Sequence, residues 1–462
     1  MLQIRKLYNI MSLAIKKVEE CVEEHDFERM RNLDESYEIA LTEEIKRRFP
    51  DMFDKDTRNV SEVSEWQLAR STLMDDLERY LEESVCKEEL IFLVKCLDSF
   101  LEDSCYGCVP VDQEQYHFQS LNDNYEECRI YLIPRLKCAW EHRNRDAYTS
   151  YSIYFYLRNF YYIHGEDLGV YKVQHILMPR EIFHAAICRG ELRIMVSPVS
   201  GDKIVNITEP YIKNSTRFVS VDPVQKDEEQ HLSENMIRIL GTAADYETDI
   251  MLFPEMLGTE WIVERLENEL SERENICDSE FPRLTICPTI WAKGRNSCRI
   301  LDDIGVTVCE QCKHYGVDLK QWSAKEDIES DQTIYVLHCE GVGRIAIAIC
   351  KDFLITRYLS ILAEKLMVNL LLVPSFTGQD YQFEVLVSKY GDLDCNVIWV
   401  NTCSARWLDI TATLRAAVTR AYIAGVKGSF RFKAGIEELC GKKYSCNGTC
   451  KYIYRIEMNG VC

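Results

Sequence analysis

Three residues with the right chemistry for acyl transfer each close a short apolar run. Thr248-Asp-Ile-Met-Leu-Phe-Pro-Glu255 ends in a carboxylate, Gly305-Val-Thr-Val-Cys-Glu-Gln-Cys-Lys313 in an amine, and Gly343-Arg-Ile-Ala-Ile-Ala-Ile-Cys350 in a thiol. Together they could supply a general base, an oxyanion stabiliser and a nucleophile. The competing reading is a loop Glu255, a solvated Lys313 and an inert core Cys350, since cysteine is among the most buried residue types.

These runs must be strands for the chemistry to converge. Ile345, Ile347 and Ile349 alternate with Ala346 and Ala348, apolar on both faces, the pattern of a central strand covered on each side. Beyond Asp352 the stretch Phe353 to Met367 carries Leu354, Tyr358, Leu362 and Leu366 at helical spacing. Cys350 is therefore expected at a strand end just before a helix N-terminus, where the dipole would lower its pKa. Leu366-Met-Val-Asn-Leu-Leu-Leu-Val-Pro-Ser375 and Asn396-Val-Ile-Trp-Val-Asn401 repeat the theme of a buried strand followed by a polar residue. In open α/β sheets ligands gather outside the carboxyl ends of strands.

The fragments FPEM, QCK and IAICKDF, with NLLLVPS and VIWVNT behind them, resemble the nitrilase or carbon–nitrogen hydrolase superfamily, over Arg217 to Asn401 and more loosely beyond. The resemblance implies a nitrilase-like αββα four-layer sandwich. It also implies hydrolysis of a non-peptide carbon–nitrogen bond (amide, carbamoyl or nitrile) through a thioester on Cys350. Glu255 would be the general base and acid, and Lys313, with the backbone N–H of Lys351, the oxyanion holder. A second glutamate supports the lysine in that family; Glu326 is the first candidate and Glu329 the other. Asp352 reads as an N-cap of the following helix. The implied partners are a small amide or nitrile substrate and further copies of the chain, a homodimer or higher, paired through the helical face of 353–367; no cofactor or metal is implied. Two departures stand out: Lys351 occupies the position where the family often has an aromatic residue, and Lys389-Tyr-Gly-Asp-Leu-Asp-Cys replaces the usual arginine and glutamate before Val397.

Composition narrows the class. The chain has 462 residues, 47% hydrophobic and 28% charged, enough for two globular domains. Its net charge of −21 argues against direct nucleic-acid binding. No apolar run approaches the roughly 20 residues of a membrane helix, and the first residues read as a charged helix rather than an export signal. The 21 cysteines are then expected as reduced thiols in the cytoplasm. Cys105 with Cys108, Cys309 with Cys312, and Cys446 with Cys450 have near-metal spacing, but residues three apart on a strand point to opposite faces, which disqualifies Cys309 and Cys312. Asn206, Asn214 and Asn447 match the glycosylation pattern and, without export, are chance matches.

The expected organisation is α+β: an all-helical region over 1–165, a connecting segment with a possible hairpin over 166–216, and the hydrolase domain over 217–462. In the first region Leu7, Ile10, Met11, Ala14, Ile15 and Val18 mark one helix, and Tyr37 to Ile45 a second. A third starts near Ser61, Ser64 and Glu65 and runs through Trp66 and Leu77, a fourth spans Glu88 to Leu101, and a fifth is expected over Glu126 to His142. The aromatic run from Tyr148 and Tyr151 to Tyr162 reads as a core helix or as a stacking platform. Leu192 to Val196 and Lys203 to Ile207 are strand candidates, with Arg217 to Asp222 preferred as the first strand of the hydrolase domain. The helical region could bind a protein partner. That keeps a second class of function in view, a catalytically weak sensor or scaffold, in bacterial defence for example.

Overall fold

The structure is a computed structural model; it describes residues 2–54, 59–61, 68, 71–83, 86–102, 104–105, 117–141, 152–200, 206–222, 226–273, 282–319, 323–378, 381–390, 393–408, 421–424 and 450–458. The expectations for Ser64, Glu65, Trp66, Cys108, Tyr148, Tyr151, Cys446 and Asn447 lie outside the described residues. Two compact units divide the chain. The first comprises Met1–Leu136, His142–Gly169 and Gln174–Leu177, the second Lys137–Glu141, Val170–Val173 and Met178–Cys462. No helix among the described residues is long and apolar enough to cross a membrane.

In the first unit the helices are α1 (Leu2–Cys21), α2 (Glu24–Arg31), α3 (Glu35–Arg48), α4 (Leu73–Glu82) and α5 (Lys87–Phe100). Leu7, Ile10, Met11, Ala14, Ile15 and Val18 of α1 recur every three or four residues and are buried. They join Leu77 of α4 and Ile91 of α5 in one apolar cluster. Asp34 starts α3 by accepting from the Tyr37 N–H at 2.8 Å. Asp98, buried on α5, accepts from the backbone N–H groups of Arg158, Asn159 and Phe160 and so fixes the incoming chain.

Two helix expectations fail here. The helix over 126–142 is limited to Tyr125–Cys128, after which Arg129 turns left-handed (φ 61°) and β1 (Ile130–Pro134) begins. The aromatic run yields a single 3-10 turn at Ile153–Tyr156 and then β2 (Phe160–His164), antiparallel to β1 with Leu132 opposite Tyr162. Pro134 is a poor fit inside a helix, and the tyrosines and isoleucines of the two segments suit a pleated ribbon, here almost wholly buried.

The second unit holds two large sheets. Its main strands among the described residues are β3 (Glu191–Val196), β4 (Thr216–Val219), β5 (Ile250–Leu252), β6 (Leu284–Ile286), β7 (Ile290–Ala292), β8 (Arg295–Asp302), β9 (Thr307–Cys312), β10 (Ala324–Glu326), β11 (Thr333–Cys339), β12 (Gly343–Ile347), β13 (Leu370–Ser375), β14 (Asn396–Asn401), β15 (Ala421–Ala424) and β16 (Tyr452–Glu457). One sheet runs β7–β8–β6–β5–β3–β16, with β9 on the far side of β8; the other runs β11–β12–β13–β14–β15 within this unit. The core strands β3, β5 and β6 are parallel to one another, as are β12, β13 and β14. Helices α6 (Lys226–Asp245) and α7 (Glu260–Arg273) pack on the first sheet through Leu232, Met236, Met251, Ile262 and Leu266.

Arg217 to Asp222 is not the first strand of this sheet. Leu192, Ile194, Met195 and Val196 are fully buried and lie beside β5, whereas Thr216–Val219 joins a small sheet with β10. Continuous burial selects the β3 segment for the centre; the polar alternation of Thr216 and Arg217 suits an outer ribbon. The stretch 353–367 is also not one helix. It is a 3-10 turn at Cys350–Leu354, α8 at Thr356–Ser360 and a π turn at Ile361–Lys365.

Candidate active site

Glu255 lies just past β5, whose three residues are buried between β3 and β6. Its turn is pinned: Met256 adopts φ 70° and donates its N–H to Thr289 Oγ1 at 2.8 Å, and Gly258 N–H donates to the Thr289 carbonyl at 3.0 Å. Lys313 is the first residue beyond β9, held by its own N–H on the Asn296 carbonyl at 2.7 Å. Cys350 follows β12 in the left-handed region at φ 46°, a conformation that carries about 1 kcal/mol or more of strain in a non-glycine residue and aims its side chain out of the strand line. Glu326 is placed by β10, in register with Val219 of β4.

These four residues meet in the interior. The Lys313 Nζ donates to Glu255 Oε1 at 2.8 Å and to Glu326 Oε2 at 2.7 Å, and all three side chains are at least 95% buried. Glu326 Oε2 also accepts from the Val317 N–H at 3.0 Å, and Glu255 Oε2 from the Phe376 N–H at 2.9 Å. The Cys350 thiol, 3% exposed, feels both Glu255 and Lys313. Glu329 is not part of this cluster; its backbone N–H bonds to the Gly294 carbonyl.

Charge and burial compete at each group. Burial raises the Glu255 carboxyl above its ordinary range, Lys313 pulls it back, and Glu326 pushes it up again. Burial alone would lower the Lys313 ammonium, but the two carboxylates outweigh it and hold it well above its usual value. Cys350 is raised by burial and by Glu255 and lowered by Lys313 and by the Phe376 N–H. That reverses the lowered thiol expected from the sequence. The helix whose dipole was to act on it is replaced by a short 3-10 turn, while desolvation of the anion is large. Burial therefore favours the neutral form of the thiol at rest.

Asp352 caps no helix. The residue before α8 is Ile355, without a side-chain cap, and the Asp352 carboxylate instead accepts from the backbone N–H groups of His314 (3.0 Å) and Tyr315 (2.8 Å). It therefore ties the turn after the thiol to the chain just past Lys313. Burial pushes it up to about 8 against those donors. Lys351 is half-buried, and none of the site's hydrogen bonds among the described residues runs to its ammonium.

Two contributors were not singled out in the sequence. Asn296, at 1% exposure, donates through Nδ2 to Glu255 Oε1 at 2.9 Å and to Glu326 Oε1 at 3.5 Å. It carried no distinct signal, being one polar residue among several in Arg295–Asp302. The Phe376 N–H had none, because a backbone donor is invisible in side-chain patterns.

Neither a protein-family model nor a curated protein matches this sequence. Among solved structures, the chain is similar to an amidase from Nesterenkonia sp., at 13% identity over 59% of this chain and 93% of that one, with a TM-score of 0.39. It is similar also to Saccharomyces cerevisiae Nit3, a member of branch 10 of the nitrilase superfamily, at 10% identity over 58% of this chain and 90% of that one, with a TM-score of 0.38.

Proposed function

We propose that the second unit is a carbon–nitrogen hydrolase of the nitrilase type, acting on a small amide, carbamoyl compound or nitrile through a thioester on Cys350. The observation that carries this reading is the buried contact of Glu255, Lys313 and Glu326 beside a strained, desolvated thiol. Three catalytic residue types meeting out of water are hard to explain as packing, because an unneeded buried charge cluster is seldom favourable.

For an amide the chemistry runs in two halves. As the sulfur attacks the carbonyl carbon, the S–H proton passes to Glu255 and the C=O π pair moves onto oxygen. The oxyanion is held by Lys313 and the backbone N–H of Lys351, a donor of this kind contributing about 3 kcal/mol. Collapse of the intermediate breaks the C–N bond, and Glu255 returns the proton to the departing amine. A water, deprotonated by the same carboxylate, then adds to the thioester carbon; collapse breaks the C–S bond and releases the acid, and Glu255 returns the proton to the Cys350 sulfur. The two sheets are proposed to stack as the inner layers of a four-layer sandwich. Residues 1–165 are proposed as a helix-rich domain able to bind a protein partner, and the cytoplasm as the setting.

The test is an intact-mass and peptide-mapping experiment after incubation with a mixed pool of small amides and nitriles. An acyl adduct is expected on Cys350, absent in Cys350→Ala. Glu255→Gln and Lys313→Met are each expected to leave at most about a hundredth of the turnover. With no adduct and no turnover on any pool, the scaffold reading replaces this one. A homodimer is also proposed, through the 353–367 side, which exposes Thr356, Arg357 and Glu364. Light scattering at micromolar concentration giving the 53.9 kDa of one chain would overturn the dimer alone.

A further inference from the structure

Glu255, Lys313, Glu326 and Asn296 close a ring. Lys313 Nζ joins Glu255 Oε1 (2.8 Å) to Glu326 Oε2 (2.7 Å), and Asn296 Nδ2 joins Glu255 Oε1 (2.9 Å) to Glu326 Oε1 (3.5 Å). The Asn296 amide is oriented by those carboxylates, since only its NH2 group can face two acceptors. Its Oδ1 has no hydrogen-bond partner among the described residues, and the remaining contact of Nδ2 is a long one to the Met256 sulfur at 3.9 Å, so the carboxylates dominate that orientation.

The two oxygens of Glu255 are consequently unequal. Oε1 already accepts from an ammonium and an amide; the backbone donor that Oε2 accepts among the described residues is the Phe376 N–H, at 2.9 Å, and that N–H also lies against the Cys350 sulfur, whose thiol itself bonds to the Glu255 carboxylate. A lone pair engaged by two donors, one of them cationic, is the weaker base. We propose that Asn296 is a positioning residue that keeps Glu255 Oε1 occupied and its carboxylate ionised, so that the Cys350 proton is taken at Oε2. As the proton arrives there, the Phe376 N–H is released from Oε2 to the sulfur that has just become an anion. No atom beyond the thiol proton changes owner in this step. The inference rests on the reading of Glu255 as the base.

It can be tested without knowing the substrate, using iodoacetamide as the electrophile and peptide mass spectrometry to follow Cys350 from pH 5 to 10. Asn296→Leu keeps the volume and removes the donor; Asn296→Asp keeps the shape and replaces the donor with a third carboxylate. In both, the carboxylate of Glu255 should bind its proton more tightly. Alkylation of Cys350 should then fall about tenfold on the acid side, the effect of one pH unit, and rejoin the wild-type rate on the alkaline side. The loss should be larger for Asn296→Asp. A profile identical to wild type, or a loss equal at every pH, would mean that Asn296 only packs the site, and the inference falls. Should either variant melt below the assay temperature, the unaltered chain with 15N-asparagine decides. The Asn296 side-chain resonance must titrate with the same midpoint as Cys350 alkylation, and a resonance that does not move with pH overturns the inference. Glu255→Gln separates the two levels of argument. If it alkylates like wild type, the base assignment fails and takes the inference with it. If it is slow while the Asn296 variants match wild type, only the inference fails.

Discussion

Glu326 moves no proton in the proposed reaction, yet it sets the charge of the site. One ammonium faces two carboxylates, and Glu326 pushes the Glu255 pKa upward. Replacing Glu326 by Gln removes that repulsion, so Glu255 should ionise at lower pH and the acid limb of the pH–rate profile should move down. Asn296→Leu is expected to move the same limb up, and opposite displacements from two neighbours are difficult to obtain by general loosening. Turnover in Glu326→Gln should drop roughly a hundredfold, because Lys313 loses one of the two anchors that fix its position. Full activity with an unmoved limb would show that Lys313 needs no second carboxylate. Glu255, Lys313 and Cys350 were legible in the sequence because each ends an apolar run, a local pattern. Glu326 and Glu329 were not separable, since only the pairing of β10 with β4 brings one of them to the lysine. Asn296 escaped because its partners arrive from β5 and β10, remote in sequence.

Among the elements, the turn that carries Cys350 depends on Asp352 more than on any helix. Its carboxylate holds the N–H groups of His314 and Tyr315, which follow Lys313 directly, so the thiol and the amine are fixed to each other through one side chain. Asp352→Asn keeps an oxygen within reach of both N–H groups and loses only the second acceptor of the His314 N–H, at about 1 kcal/mol. Burial pushes the Asp352 pKa up to about 8 from an ordinary 3.8. Between those values the folded state binds a proton that the unfolded state does not, so this group's contribution is complete below about pH 4 and lost as pH rises through about 8. Chemical denaturation across pH 4 to 9 should therefore show a falling slope in wild type that is flatter in Asp352→Asn; equal slopes would remove Asp352 from the titration. The central strands β5, β12, β13 and β14 could be read beforehand because they are apolar on both faces. The tie that Asp352 makes could not, because an aspartate so placed and a helix N-cap look alike until the 3-10 turn is seen. Likewise Ile130 to Pro134 resembles helix in its spacing, and only its partner strand Phe160–His164 decides otherwise.

On the scale of the whole molecule, the boundary expected near residue 165 is crossed by a short segment. Lys137–Glu141 belongs to the second unit although it precedes most of that unit by more than thirty positions in the chain. Ala139 N–H bonds to the Gly341 carbonyl and Gly341 N–H to that of Lys137. Trp140, 1% exposed, donates its indole N–H to the Asn369 carbonyl at 3.2 Å, and Glu141 pairs with the buried Arg344 of β12. The strand that leads to Cys350 is thus braced by residues that the sequence alone assigns to the helical region. No pattern revealed this, because five residues outside any named strand or helix have no periodicity to read. Truncating a buried Trp removes a large apolar volume and strands a carbonyl, for about 3–5 kcal/mol. Trp140→Ala should accordingly lower the melting of the second unit and leave that of the first in place. Asp98→Asn, which breaks the buried clamp on Arg158 to Phe160, should do the reverse. Differential scanning calorimetry of the full chain, with Cys350 alkylation as the reporter of the second unit, distinguishes them. Should Trp140→Ala shift the same transition as Asp98→Asn and spare Cys350 reactivity, the segment would belong energetically to the first unit, and the brace on β12 would have to be given up.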